Sequence, residues 1–158
     1  MAMALTLLSL NSWRYFQLFD TFEGLPEPDP VVDIDQVGNA AADRWREGWI
    51  AVGEDEVRQN MLSTDCPAAA LQLVKGRVED TLRDFALPQY ALVRLDTDWY
   101  ASTKFELEVL WPRLAPGGIL VIDDYGHWIG ARMATDEFFA DKPVKMARVD
   151  YSCRVIKK

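Results

Sequence analysis

This chain has little histidine, little cysteine and no surplus of positive charge. Its 158 residues hold one His and two Cys, and 17 Lys and Arg face 25 Asp and Glu, for a net charge of −8. Cys66 and Cys153 form no CxxC pair and stand far from each other and from His127 in sequence. No zinc site is indicated, and buried, inert thiols in a reduced, cytoplasmic setting are expected. The shortage of bases argues against nucleic acid or an anionic membrane as the main partner, since both need clustered Lys and Arg. Long apolar runs are missing too. The stretch from Met1 to Leu10 lacks a basic flank and falls well short of the roughly 20 residues that span a bilayer. What is present is a core: 49% of the residues are hydrophobic, which excludes intrinsic disorder. The length suits a single domain over residues 1–158.

The pattern along the chain predicts strands alternating with helices. Residues 5–10 read as the end of a buried helix, stopped at Asn11-Ser12. Residues 15–19 form a short apolar run that ends on Asp20. A loop follows with Pro26, Pro28 and Pro30, and from Asp20 to Asp35 it carries six acids and no base. Residues 23–35 are expected to be a solvated lid or linker, and residues 40–50 a short helix or ordered loop. The spacing of Val57, Met61 and Leu62 predicts a helix over 54–62. A strand over 71–74 ends at Lys75-Gly76, helical turns cover 79–85, and an apolar strand over 90–95 stops on Asp96-Thr97-Asp98. A helix over 102–114 ends before Pro116-Gly117-Gly118. A strand over 119–122 ends on Asp123-Asp124, a helix covers 130–140, and strands over 144–149 and 152–156 meet in a tight turn. The alternation implies a mostly parallel α/β sheet with a C-terminal antiparallel hairpin. No repeat or domain boundary interrupts it.

Strands ending on acids carry the chemistry. In an open parallel sheet the carboxyl ends of the strands share one edge, and ligands bind there. Asp96, Asp123 and Asp124 are therefore expected to converge. Carboxylates packed together raise one another's pKa unless a cation intervenes, and hard oxygen ligands suit Mg²⁺, Mn²⁺ or Ca²⁺. Helix capping is the plainer use of an Asp after a strand. Asp20, alone at the end of an early strand, fits a residue that holds a ribose.

Five segments in order then resemble the macrocin O-methyltransferase family. They are Leu18-Phe-Asp-Thr-Phe-Glu-Gly-Leu-Pro26, Val74-Lys-Gly-Arg-Val-Glu-Asp-Thr-Leu82, Leu95-Asp-Thr-Asp-Trp-Tyr-Ala-Ser-Thr103, Leu110-Trp-Pro-Arg-Leu-Ala-Pro-Gly-Gly118 and Ile122-Asp-Asp-Tyr-Gly126. The resemblance covers nearly the whole chain from about residue 15. It implies a Rossmann-like class I methyltransferase fold that uses S-adenosylmethionine and Mg²⁺ to methylate a sugar hydroxyl on a macrolide-like or other glycosylated natural product. Asp96, Asp123 and Asp124 then correspond to the metal ligands, with Asp96 also the general base. Asp20 corresponds to the ribose-binding acid, and Gly76, Val78, Glu79 and Asp80 to the adenine-side loop. Tyr100, His127 and Trp128 stand beside the metal motifs, facing the acceptor.

One departure follows from the glycines. Family members carry an earlier strand and a Gly-rich turn for the methionine end of the cofactor, and this sequence contains no GxG. Residues 1–14 look like the helix that follows that turn. The expectation is a sheet lacking its first strand, with an exposed apolar seam that invites association into a homo-oligomer. Two other readings compete. One is a non-catalytic methyltransferase-like protein that keeps the metal corner. The other is a metal-dependent glycosyltransferase, for which the chain is short. An aspartyl-phosphate phosphatase is disfavoured by Tyr100, which stands where Thr or Val is wanted. The methyl-transfer reading needs no covalent intermediate, so the lack of a Ser-His-Asp or Cys-His constellation is no objection to it.

Overall fold

The computed structural model describes residues 1–157. Helix α1 (Ala2–Ser9) leads into strand β1 (Phe16–Asp20). After the proline loop come α2 (Glu54–Leu62), β2 (Leu71–Lys75), α3 (Val78–Phe85) and β3 (Tyr90–Leu95). Then follow α4 (Tyr100–Leu110), β4 (Leu114–Ile122), α5 (Ile129–Phe139), β5 (Met146–Val149) and β6 (Ser152–Ile156). The expected alternation is present. β1 pairs with β2 in parallel, β3 pairs with β4 in parallel, and β6 adds antiparallel between β4 and β5.

The strands form two sheets, β1-β2 and β3-β4-β6-β5, with no ladder between β1 and β3 among the described residues. The larger sheet carries the main core. Val93, Leu95, Leu120, Ile122 and Val155 pack with Leu82 of α3 and Leu107 and Leu110 of α4. Each such side chain contributes roughly 1.5–3 kcal/mol by leaving water. A smaller cluster joins Ala4, Met61, Cys66 and Leu71. Both cysteines are free and buried, and burial pushes both thiols above their ordinary pKa. No helix among the described residues is long and apolar enough to cross a membrane.

Three expectations need correction. α1 forms and stops at Asn11, whose φ is 48°, but the helix is not buried: Leu5 is 49% and Leu10 67% exposed, and only Ala4 is enclosed. α4 ends at Leu110 rather than at 114, because Pro112 cannot continue a helix, and Leu114 is already paired with Tyr90. The proline loop is tied down rather than solvated. Asp33 and Asp35 are buried. Asp33 accepts hydrogen bonds from the backbone N–H of Asp29 and of Tyr100, both at 2.8 Å. Asp35 binds Arg44 at 3.1 Å, and Ile34 and Asp35 bridge to Ala40 and Trp128. The loop is thereby fastened across the first turn of α4 and the start of α5.

Candidate active site

The carboxyl ends of β3 and β4 deliver their acids to one point. Asp96, Asp98 and Asp124 each place a carboxylate oxygen within 4.8 Å of the others. Asp123 adjoins them through a hydrogen bond with Asp96, but it also faces Arg94 of β3, whose guanidinium lies 2.9 Å from Asp123 and 2.5 Å from Asp96. Of the sequence-expected trio, Asp96 and Asp124 join this cluster, Asp98 takes the third place in it, and Asp123 stands beside it, held by Arg94.

The four differ in how they hold protons. Burial, then the Asp124 charge, pushes Asp98 up to about 8, against a hydrogen bond from the Trp128 side chain. Burial also lifts Asp96, to about 6, although the Arg94 charge opposes it. Asp124 is raised by burial as well. Carboxylates crowded together raise one another in this direction. Asp98 further adopts φ 66°, the left-handed region that Asp tolerates better than most residues and that clusters at functional sites.

A second layer holds this turn in place. Glu106 of α4 is buried and accepts a 2.7 Å hydrogen bond from the Thr97 hydroxyl, in the middle of Asp96-Thr97-Asp98. Burial lifts its carboxyl to about 8. The Trp128 indole is 5% exposed and stacks edge-on against Trp99 at 5.1 Å. Trp99 donates its indole N–H to Pro26 O, and Trp45 donates to Leu25 O. The tryptophans therefore fasten the proline loop over the site.

The expected cofactor residues gather on the neighbouring rim. Asp20 ends β1, and its Oδ1 accepts the Phe22 N–H at 2.7 Å. Gly76 N–H donates to Asp20 O at 3.0 Å, so the ends of β1 and β2 are joined. Gly76 has φ +138°, and a Cβ there would lie 2.8 Å from Thr81 Cγ2, so the turn into α3 requires glycine. Asp20, Gly76, Val78, Glu79, Asp96 and Asp98 all line one cavity of about 1280 Å³. Asp80 is exposed and outside that lining.

The expected acceptor residues are placed differently. The Tyr100 hydroxyl donates to Glu137 at 2.7 Å and accepts from Lys104 at 2.9 Å, on the outer face. His127 is exposed and stacks on Trp128 at 4.7 Å, and its charge acts on Asp124. None of Tyr100, His127 and Trp128 lines the cavity. Sequence reasoning missed the indole hydrogen bond to Asp98 and the Glu106–Thr97 bond. A Glu in the middle of an apolar helix face (Phe105, Leu107, Val109 and Leu110 beside it) was the one available signal for the latter.

A sequence-family profile described as Macrocin-O-methyltransferase matches residues 1–158. The demethyldecarbamoylnovobiocin O-methyltransferase of Streptomyces niveus is 31% identical over 125 residues, which is 77% of this chain and 45% of that protein. The 8-demethyl-8-(2,3-dimethoxy-alpha-L-rhamnosyl)-tetracenomycin-C 4'-O-methyltransferase of Streptomyces olivaceus is 37% identical over 106 residues, 67% of this chain and 40% of that protein. The chain thus spans under half the length of these two relatives. Among solved structures, the O-methyltransferase NovP superposes with a TM-score of 0.83 at 26% identity, covering 99% of this chain and 65% of NovP. The calicheamicin methyltransferase CalS11, at 22% identity and TM-score 0.69, shares the fold over 90% of this chain and 60% of its own.

Proposed function

This chain belongs to the macrocin O-methyltransferase family, and from that premise we propose that it carries the metal and proton-transfer half of a site that methylates a sugar hydroxyl of a glycosylated natural product. The observation that carries the reading is the convergence of four carboxylates at the ends of β3 and β4 with Asp20 and Gly76 on the same cavity. Its partner is a small glycoside rather than nucleic acid or a membrane surface. The oxygen-only donor set fits Mg²⁺, and the strand-end Asp20 with the Gly76–Glu79 rim fits the adenosyl end of S-adenosylmethionine.

When bound, the cation lowers the pKa of an acceptor hydroxyl and the sulfonium presents an electrophilic methyl group. The chain's residues divide the remaining work. Asp96, Asp123 and Asp124 are the ligand set. Asp96 and Asp123 already share the positive charge of Arg94, so a cation there replaces an existing attraction. Asp98 lies within 4.8 Å of Asp96 and Asp124 with no guanidinium paired to it, whereas Arg94 holds Asp96, and we place the base at Asp98 rather than at Asp96. Trp128 and the Thr97–Glu106 pair fix the direction of the Asp98 carboxylate. Asp20 grips the ribose, and Val78 and Glu79 wall the adenine side. With the cofactor held there, the chain's part would be to align the acceptor hydroxyl with the methyl group, and such alignment supplies much of the rate.

The test is methyl transfer by this chain from S-adenosylmethionine to a deoxysugar glycoside with Mg²⁺, followed by mass spectrometry. Methylation that chelator abolishes, and that Asp98→Asn lowers by about 10²–10⁴-fold, is expected. An Asp98→Asn variant as fast as wild type while Asp96→Asn is dead returns the base to Asp96. A second reading rests on the absence of any GxG turn in the sequence: the chain binds the cation but not the cofactor. Calorimetry with Mg²⁺ and then S-adenosylhomocysteine separates the two, since only the enzyme gives heat with both.

A further inference from the structure

Among the described residues, six that are not glycine hold a positive φ: Asn11, Phe22, Ile50, Asp65, Asp98 and Asp150. Four of them are Asn or Asp, which tolerate the left-handed region. Phe22 is buried, and its packing offsets the cost. Ile50 is the exception. It is β-branched, adopts φ 61° and is 65% exposed. A β-branched side chain is strained in this region, and an exposed one gains no packing in return. The needs of the fold alone therefore do not account for an isoleucine there.

The strained conformation is held from both sides. The Ala51 N–H donates to Gly48 O at 3.1 Å and closes a turn with Ile50 third in it, a place where positive φ calls for Gly or Asn. Trp49 O accepts the Leu25 N–H at 3.0 Å. A Cβ on Gly24, whose φ is +101°, would lie 2.6 Å from that oxygen, so the close approach requires glycine. The turn is thus clamped to the proline loop, and it holds its side chains at the active-site cavity. Ile50, Val52 and Leu25 line the same space as Asp96, Asp98 and Asp124. Val52 is 42% exposed as well. Between this turn and Asp98 stand Trp49, Trp99 and Trp128 in succession, with ring centroids 6.4 Å and then 5.1 Å apart. One end of the cavity is acidic, and this part of its rim is apolar.

We propose that Ile50, with Val52 beside it, seats the apolar aglycone of the acceptor glycoside and is a specificity-determining residue. The proposal rests on the reading that the cavity takes a glycoside. The reacting hydroxyl must lie at the carboxylates, and a succession of packed tryptophans sets Ile50 back from them. Ile50 therefore meets the group attached to the sugar rather than the reacting hydroxyl. An apolar or aromatic aglycone has little to offer the acids, whereas exposed Ile and Val side chains are surface that it can bury. Stability is given up at residue 50 for contact with a ligand, as at other strained functional positions.

The test measures, by calorimetry, binding of p-nitrophenyl rhamnoside and of methyl rhamnoside to the 158-residue chain. The two probes differ only in the aglycone. Wild type is expected to bind the aryl glycoside at least about tenfold more tightly than the methyl glycoside. Ile50→Asn suits the turn and removes the apolar side chain. It is expected to bring the two affinities within about twofold of each other, with S-adenosylhomocysteine and the methyl glycoside bound as by wild type. Its melting temperature is expected to rise by about 2–4 °C as the strain is relieved. Ile50→Val keeps the strain and the apolar contact, and is expected to keep the aryl preference. No aryl preference in wild type, or a preference that survives in Ile50→Asn, overturns the proposal. Weakened S-adenosylhomocysteine binding with the preference kept does so too, because the residue then belongs to the cofactor rim. A melting temperature lowered by Ile50→Asn overturns the argument from strain and the proposal with it. An Ile50-dependent aryl preference in a chain that transfers no methyl group upholds the proposal and refutes the methyltransferase reading instead.

Discussion

Glu106 is the residue on which the acidic turn rests, and its protonation links stability to pH. Its carboxyl is raised by burial from an ordinary 4.5 to about 8. A raised folded-state pKa stabilises the fold fully below 4.5, and that contribution is lost as pH rises through about 8. Glu106→Gln keeps an acceptor for Thr97 and has no charge to bury. It is therefore expected to melt like wild type at pH 5 and to be more stable at pH 8.5 by on the order of 1–3 kcal/mol. Thermal melts at the two pH values measure this, and a constant offset between the proteins at both would remove the role of ionisation. Trp128 acts on the same turn from the other side. Trp128→Phe keeps the aromatic packing on Trp99 but removes the indole N–H that opposes the high pKa of Asp98. The expected result is a base titrating at higher pH, read as an alkaline shift of the rate profile, with a melting temperature within a few degrees of wild type. These two residues mark the limit of what the sequence disclosed. Asp96, Asp123 and Asp124 were legible because each ends an apolar strand. Asp98 was visible as a neighbour, but its distinct proton affinity comes from burial and from the Asp124 charge at the end of the next strand, tertiary effects with no local signature.

At the scale of elements, the proline loop and α4 form one unit through Asp33. No side chain from α4's own N-terminal turn caps it, and the Tyr100 N–H is instead satisfied by Asp33, 67 residues earlier. Replacing Asp33 by Ala leaves the Tyr100 and Asp29 N–H groups without their acceptor. A loss of about 1–3 kcal/mol is expected from the buried donors alone. Limited proteolysis is expected to cut within residues 23–35 of the variant well before wild type, and equal cleavage of both proteins would show that Asp33 does not anchor the loop. The element list itself was largely readable, because period and punctuation are local properties. Leu-Val-rich strands, the Val57-Met61 stripe and the Asp150-Tyr151 turn all sit where the pattern placed them. The boundaries failed where a long-range partner decides. α4 yields four residues early to Pro112 and to the pairing of Leu114 with Tyr90, and the acid-rich loop is ordered by partners that lie more than 60 residues away along the chain. α1 shows the converse: its apolar composition promised burial, but only one face has anything to pack against.

For the whole molecule, the net charge of −8 conceals an uneven distribution, with four acids at one corner and a single guanidinium among them. Two opposite pH dependences follow. Without a cation, Asp96 and Asp98, raised from 3.8 to about 6 and about 8, stabilise the fold fully below 3.8, and that contribution disappears as pH climbs through these values. A divalent cation competes with the same protons. Its stabilisation is therefore greatest above pH 8 and falls as pH drops through 8 and then 6. At a free Mg²⁺ concentration 100 times the dissociation constant the gain is about 2.7 kcal/mol, which for a chain of this length raises the melting temperature by roughly 5–10 °C. The expected observation is a Mg²⁺-induced rise of that size at pH 8.5 that shrinks to within a degree or two at pH 5.5, with chelator restoring the lower value. The paired variant Asp96→Asn with Asp124→Asn is expected to abolish the Mg²⁺ response while making the metal-free protein more stable at high pH, because two mutually repelling charges are gone. A Mg²⁺ shift that is the same at both pH values, or that survives in the paired variant, would place the cation elsewhere on the acidic surface and separate the carboxylate corner from metal binding altogether.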